Sequence, residues 1–168
     1  VTKVYLPKFV LLLIKMGVNA FKMAVSFLLV VIFMFIYKVP VTWNVLWFIP
    51  IIITVIIFTF GVCTLVMHFG VFAEDLTNLV NIGLRMLFYL TGIFYDISSR
   101  IHNTVYRTIL LDLNPLANFI YNMRNVLIYK SAPIGMWTLI WFFIGVLLSI
   151  LGVHTIYKYE NTYVKVMK

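Results

Sequence analysis

Long apolar stretches alternate with short polar ones along this chain. About 20 predominantly apolar residues are needed to cross a bilayer as a helix, and four stretches meet or approach that length. They predict spans at residues 18–37, 46–67, 76–94 and 136–157. Trp and Tyr side chains stand at the ends of the second and fourth stretches, as is typical of a membrane–water interface. The pattern predicts an all-α membrane protein, a helical bundle of four transmembrane helices.

The stretch from Tyr95 to Pro133 breaks this alternation, because it is too polar to cross a bilayer and too apolar for a solvated loop. Asn114 and Pro115 suit the N-cap and first position of a helix, and a shorter helix is expected between residues 101 and 113. We predict a helix pair within residues 96–133, before the last span. Two interpretations stay open: a re-entrant pair that dips into the membrane edge, or an interfacial pair lying flat. The helical apolar spacing that supports the second helix involves Leu116, Phe119, Ile120, Met123, Val126 and Leu127.

Polar residues form one continuous face on the third predicted span. Glu74, Asn78, Asn81 and Arg85 are spaced i, i+4, i+7 and i+11. An arginine inside a membrane costs about 2.5–3.5 kcal/mol on insertion scales, so this face is expected to meet the bundle interior or a wet cavity. It either lines a path for an anionic substrate, or Arg85 pairs with an acid on another helix. The predicted pathway also includes aromatic side chains farther along, namely Phe88, Tyr89 and Tyr95.

The first predicted span carries a similar stripe. Lys15, Asn19, Lys22 and Ser26 fall on one helical face. The stripe either faces a pathway for anions, or its lysines lie near the interface and extend outward to the headgroups. Lys22 lies deeper than Lys15, and we include Lys22 in the predicted substrate pathway.

Small residues mark one face of the last predicted span. Gly145, Ser149 and Gly152 are spaced i, i+4 and i+7, which favours close approach of a neighbouring helix. Cys63 is the single cysteine and lies inside an apolar run, so it is predicted to be a small packing residue without an internal disulfide.

Composition places the chain firmly among membrane proteins. Of its 168 residues, 64% are hydrophobic and 11% are charged, and the mean hydropathy is +1.07. Soluble domains average about 45–50% apolar and about 25% charged residues. The net charge is +8. Because the basic residues mostly flank apolar runs, membrane lipid or an anionic lipid-linked substrate is the expected partner, and nucleic acid is not.

Sequence motifs of enzymatic chemistry are missing from the chain. There is no G-x-x-x-x-G-K-[ST], so ATP hydrolysis through a P-loop would need another chain. There is also no G-x-S-x-G, no H-E-x-x-H and no pair of acids inside a span, so no catalytic or metal site is predicted. An enzyme would be conceivable only for lipid-linked phosphate, with a basic set made of Arg85, Arg100, His102 and Arg107.

Several segments, in order, resemble one family of transporters. Residues 3–8 read KVYLPK, similar to K-V-Y-F-P-R. Residues 72–98, which end in GIFYDIS, are similar to an F-x-R-D-[IV] stretch and the following helix ending in S-P-[IV]-F-Y-P-[IL]-S. Residues 113–116 read LNPL and are followed by Arg124, similar to L-N-P-L…I-E-x-[FY]-R. The tail at residues 159–165 resembles the family's ending. The chain thereby resembles the permease subunit of type-2 ABC exporters of polysaccharides or polyol phosphates, the O-antigen and teichoic-acid exporters.

This resemblance implies one transmembrane domain over residues 1–168 in a bacterial plasma membrane. Two permease copies and two nucleotide-binding ATPase subunits would form the exporter of an undecaprenyl-type lipid-linked glycan or polyol phosphate. ATP and Mg²⁺ would bind the ATPase, and this chain would need no cofactor. Residues 1–8 would be a cytoplasmic coupling segment and residues 96–133 the extracellular gate helices. The ATPase-coupling residues would be Tyr5, Pro7, Lys8, Glu74 and Asp75, and the gate residues Asn114, Pro115, Tyr121 and Arg124.

The resemblance also implies that the chain corresponds to the C-terminal two-thirds of such a permease, which agrees with its start at Val1 rather than Met. We therefore expect N-terminal sequence to be missing. Basic residues are split almost evenly between the two sides, with a slight excess on the side of both termini, which favours cytoplasmic termini.

The chain departs from the family pattern at several positions. Glu74 replaces an arginine, Gly92 and Asp96 replace prolines, and Tyr121 replaces a glutamate near Arg124. These departures concern coupling and gating. The competing hypothesis is a non-transporting membrane scaffold or assembly protein whose polar faces only hold helices together. A neighbouring gene for a P-loop ATPase would favour the exporter.

Overall fold

A computed structural model describes residues 8–73, 75–133 and 135–166. Within these ranges the regular structure is entirely helical, which confirms the all-α prediction. Apolar runs with few helix breakers explain the long elements, and Pro and Asn residues mark the turns between short ones. The elements are α1 (Lys8–Ile36), a 3-10 helix (Trp43–Trp47), α2 (Phe48–Phe72), α3 (Leu76–Leu90), α4 (Ile97–Arg100), α5 (Thr104–Leu111), α6 (Pro115–Leu127) and α7 (Gly135–Val166).

Three stretches of the described chain are long and apolar enough to cross a membrane. They are Val10–Ile36, Trp43–Val71 and Gly135–Tyr159, with 27, 29 and 25 residues. The protein is therefore a multi-pass membrane protein. The four-span count is not confirmed, because α3 has 15 residues and is about 23 Å long, short of the roughly 30 Å hydrocarbon core.

Helix ends differ from the predicted spans for local reasons. α1 begins at Lys8, well before residue 18, because an isolated polar residue such as Lys15 interrupts an apolar window without breaking a helix. α3 stops at Leu90 rather than at residue 94. The hydroxyl of Thr91 bonds back to the carbonyl of Leu87, and Gly92 then turns the chain at φ +70°.

α2 and α7 pack against each other through small residues. A Cβ added at Gly145 would lie 2.9 Å from Phe58 Cα, and one added at Gly152 would lie 2.0 Å from Thr64 Oγ1. The Ser149 hydroxyl donates to the Ile57 carbonyl at 3.0 Å across the same interface. The close approach that the small-residue spacing predicts is thus present, and α2 is the neighbour.

The segment before α7 contains three helices rather than the expected pair. The additional helix is the single turn α4, whose N-cap is Asp96; its side chain accepts from the Ser98 amide at 2.9 Å. α6 has 13 residues, about 20 Å, which is too short to cross a bilayer. Its position in or on the membrane stays a prediction. Its buried residues are Ala117, Asn118, Phe119, Asn122, Asn125 and Val126.

Candidate functional site

The polar face of α3 lies at the surface of the described chain. Asn78, Asn81 and Arg85 are exposed, and α3 contains no buried residue. Asn81 and Arg85 line an open recess of about 460 Å³. α3 thus presents amide and guanidinium donors to an open space rather than to the core. The remaining residues of the recess wall are Leu84, Phe88 and Tyr89.

The acidic side chains that the structure describes lie in turns, not within the spans. Asp75 precedes α3, Asp96 caps α4 and Asp112 follows α5. Among the acidic side chains that the structure describes, none lies within a helix; Glu74 and the side chain of Glu160 in α7 are outside the description. Both interpretations of the Arg85 face therefore stay predictions.

An apolar cavity of about 500 Å³ lies between α1, α3 and α6. Its walls include Phe27 from α1 and Phe119 from α6, and α3 contributes Leu84 and Phe88. The last two residues also line the polar recess. One side of α3 therefore meets an apolar space while the adjacent side carries Arg85, an arrangement suited to an amphipathic molecule with an anionic group.

Lys22 lies near the middle of the spanning stretch Val10–Ile36 and is exposed. Its carbonyl accepts from the hydroxyl of Ser26 at 3.1 Å, and Ser26 lines the apolar cavity. The structure thus brings the α1 stripe to the same cavity that α3 borders. A cation at this depth is costly unless water, protein or an anion surrounds it.

Aromatic side chains gather at the end of α3. The ring of Phe88 lies 5.7 Å from the rings of both Tyr89 and Phe94 in edge-on geometry. The Tyr95 hydroxyl donates to the Tyr89 carbonyl at 3.2 Å. Phe88 and Tyr89 are exposed and Tyr95 is half-buried, so the first two are open to a passing group such as a sugar ring.

The start of α6 follows the sequence prediction. Pro115 opens the helix, and the Asn114 side chain accepts from the amides of Leu116 and Ala117 at 3.1 and 3.4 Å. Tyr121, on the next turn, packs partly buried against a small apolar cluster. The cluster consists of Ile97, Leu111 and Ala117.

Arg124 makes the most extensive side-chain contact of the gate residues. Its guanidinium donates to three backbone carbonyls in the turn after α3: Gly92 at 3.1 Å, Ile93 at 2.6 Å and Tyr95 at 3.4 Å. Sequence reasoning placed Arg124 among the gate residues but missed these acceptors, because a backbone carbonyl leaves no mark in the residue pattern.

The charge of Arg124 also reaches Asp96. Burial by itself raises the pKa of Asp96, but hydrogen bonds from Ser98 and the positive charge of Arg124 outweigh it. The pKa of Asp96 is consequently held below its ordinary value, and the carboxylate stays ionised as the cap of α4.

A buried amide network joins α6 to α7, and sequence reasoning missed it. Asn122 Nδ2 donates to Asn118 Oδ1 at 3.0 Å and to Thr138 Oγ1 at 2.8 Å. Asn118 and Asn122 are both 0% exposed. Their i, i+4 spacing, continued by Asn125, was the available signal, because amides repeated on one otherwise apolar face predict a hydrogen-bonded contact.

Most of the predicted ATPase-coupling residues lie outside the residues that the structure describes. Tyr5, Pro7 and Glu74 lie outside the described residues, and Lys8 is described only as the first residue of α1. Asp75 is exposed at the start of α3. Their coupling role stays a prediction. Within the described ranges, no group of three or more His, Cys, Asp or Glu side chains is arranged to hold a metal ion.

Comparison with known proteins supports one family. Two curated relatives are both O-antigen export system permease protein RfbA from Klebsiella pneumoniae. One is 27% identical over 139 residues, which is 82% of this chain and 52% of the relative; the other is 34% identical over 98 residues, 58% and 37% respectively. The chain therefore spans about half the length of the first relative and less of the second. No family model and no solved structure matches.

These similarities confirm the resemblance to permease subunits of type-2 ABC exporters. The relatives are named as permeases, in line with the three helices of spanning length.

Proposed function

We propose that this chain forms the membrane-embedded permease of an ATP-driven exporter of a lipid-linked cell-surface polysaccharide. The observation that carries the proposal is its similarity to O-antigen export permeases over 82% of its length. Three apolar helices of spanning length support a transport role in the membrane.

The α1–α3 region supports an anionic, lipid-linked substrate. Arginine binds phosphate oxygens with paired donors, and Arg85 lies at an open recess with Asn81. The neighbouring apolar cavity, which shares Leu84 and Phe88 with that recess, suits part of a polyprenyl chain. Lys22 of α1 lies one turn before Ser26, which lines that cavity, and would supply a second cation near it. We favour an O-antigen-type polysaccharide, and a teichoic-acid-like polyol phosphate would offer the same anionic group.

The energy for export would come from ATP hydrolysis by a partner protein. The chain contains no P-loop, so a nucleotide-binding ATPase subunit binds ATP and Mg²⁺. We propose two copies of the permease per exporter in a bacterial plasma membrane, with cytoplasmic termini. The ATPase docks near Tyr5, Pro7 and Lys8, beside Glu74 and Asp75.

Deletion of the gene in its host tests this function. Surface polysaccharide should fall while the lipid-linked polymer accumulates inside the cell, because synthesis continues and export stops. A plasmid copy should restore the surface polymer, and a P-loop ATPase should co-purify with the tagged protein.

Two results would contradict the proposal. Unchanged surface polysaccharide after deletion would exclude an essential role in export. Loss of polymer synthesis itself, without accumulation and without a co-purifying ATPase, would favour an assembly scaffold. Analysis of the accumulated lipid-linked polymer would distinguish O-antigen from teichoic-acid chemistry.

A further inference from the structure

The far end of α3 has few attachments to the other residues that the structure describes. α3 contains no buried residue, and the apolar cavity of about 500 Å³ separates its Leu84–Phe88 side from α1 and α6. At its beginning, a short turn connects α3 to α2. At its end, the chain reverses at Gly92 with φ +70°. The position of α3 therefore depends on what holds this reversal.

Arg124 of α6 holds this reversal directly. Its guanidinium donates to the carbonyls of Gly92, Ile93 and Tyr95, over 29 to 32 residues of sequence. Hydrogen bonds from a charged donor are stronger than neutral ones, and the planar fork of arginine fits several acceptors at once. The reversal itself is tightly packed, since a Cβ at Gly92 would lie 2.7 Å from Ile97 Cγ1.

The helix that carries Arg124 is well anchored. α6 buries six residues, and its amides Asn118 and Asn122 bond to each other and to Thr138 of α7. Phe119 packs edge-on against Phe58 of α2, with ring centroids 5.8 Å apart. Arg124 thus connects a well-packed helix to an exposed one.

We propose that Arg124 is a positioning residue for the substrate pathway: by clamping the Gly92–Tyr95 turn to α6, it sets the position of α3 and of the Arg85 face. The inference rests on the proposed function for its consequence in export. The clamp itself is a structural property that can be measured without substrate.

Distance measurements between spin labels test the clamp in the full-length protein in lipid nanodiscs. With Cys63 replaced by serine, labels are placed at exposed Leu90, at the end of α3, and at exposed Ile128, just after α6. Native Arg124 should give a narrow distribution for the Leu90–Ile128 distance within one subunit. In Arg124→Gln that distribution should be lost, and Arg124→Lys should fall between, because one ammonium group cannot reach three carbonyls together.

Two controls separate a local clamp from general misfolding. Labels at Val62 of α2 and Ile150 of α7, both exposed, should keep their distribution in every variant. Arg107→Gln removes the same charge from an exposed position on α5 and should leave the Leu90–Ile128 distance unchanged.

Export in the native host supplies the functional measurement. Arg124→Gln should reduce surface polysaccharide, with partial recovery in Arg124→Lys. An unchanged Leu90–Ile128 distribution in Arg124→Gln would overturn the clamp, and normal export from a displaced α3 would overturn its role in the pathway. If gene deletion leaves export intact while the distances still respond to Arg124, the proposed function fails and the clamp stands.

Discussion

Single residues carry the chemistry of this chain, and Arg85 is the clearest example. Its sequence position, on one face with Asn78 and Asn81, predicted a polar surface in an apolar helix. The structure places that surface at an open recess. At this scale the sequence mainly leaves undetermined which side chains bond to backbone groups. The three acceptors of Arg124 are carbonyls, which every residue type supplies, so no pattern of side chains could have indicated them.

Substitution of Arg85 separates charge from geometry. Arg85→Gln should lower export while the protein remains folded and inserted, because an exposed guanidinium contributes little to packing. Arg85→Lys should be intermediate, since it keeps the charge without the paired donors. Surface polysaccharide and membrane protein level are measured together. Normal export by Arg85→Gln would remove this residue from the pathway, and failure to insert would favour a structural role instead.

Gly92 is required for backbone reasons. With φ at +70° and Ile97 Cγ1 only 2.7 Å from the place of a Cβ, Gly92→Ala should destabilise the protein by roughly 1–3 kcal/mol. Gly83→Ala is the matched control, since nothing lies within 4 Å of its added Cβ and alanine favours a helix. Thermal unfolding in detergent compares the two. Equal unfolding temperatures for both variants would show that the turn tolerates a side chain.

Acid should weaken the α4 cap. Because the pKa of Asp96 in the folded protein lies below its unfolded value, its contribution to stability is complete above the unfolded pKa and is lost as the pH falls through the folded one. The unfolding temperature should therefore drop more steeply below about pH 4 in the native protein than in Asp96→Asn. Parallel pH profiles of the two proteins would contradict this linkage.

At the scale of elements, apolar length and small-residue spacing were good guides. They predicted the three long helices and the close face of α7, because helix burial in a membrane depends on composition over a whole segment. They were poorer guides to the end of α3 and missed α4. Each depends on a single local feature. The end of α3 depends on the reversal at Gly92, and α4 depends on the cap by Asp96. The start of α6 was predicted correctly from Asn114 and Pro115. The preferences of Asn for the N-cap and of Pro for the first helical turn depend only on local sequence.

The α2–α7 interface should depend on Gly152. A Cβ there would lie 2.0 Å from Thr64 Oγ1, so Gly152→Ala should lower the unfolding temperature by pushing the helices apart. Thr64→Ala in the same chain removes the obstructing hydroxyl and should recover part of the loss. Gly135→Ala, with nothing within 4 Å of its Cβ, is the control. Additive effects of the two interface substitutions would argue against direct contact at this site.

At the scale of the whole molecule, the arrangement of the short helices relative to the bilayer decides the topology. α7 is of spanning length, whereas α6, the longest helix between α3 and α7, would reach only about 20 Å. If the α4–α6 segment returns to the side it started from, His102 and Tyr129, which flank α5 and α6 and are both exposed, lie on the same side of the membrane.

Single cysteines at these positions, on the Cys63→Ser background, should both react with a membrane-impermeant maleimide added to intact cells. Reaction at one position only, with the other labelled after permeabilisation, would mean that this segment crosses the bilayer. In that case residues 96–133 could not form an extracellular gate, and the clamp between Arg124 and the end of α3 would have to lie within the membrane.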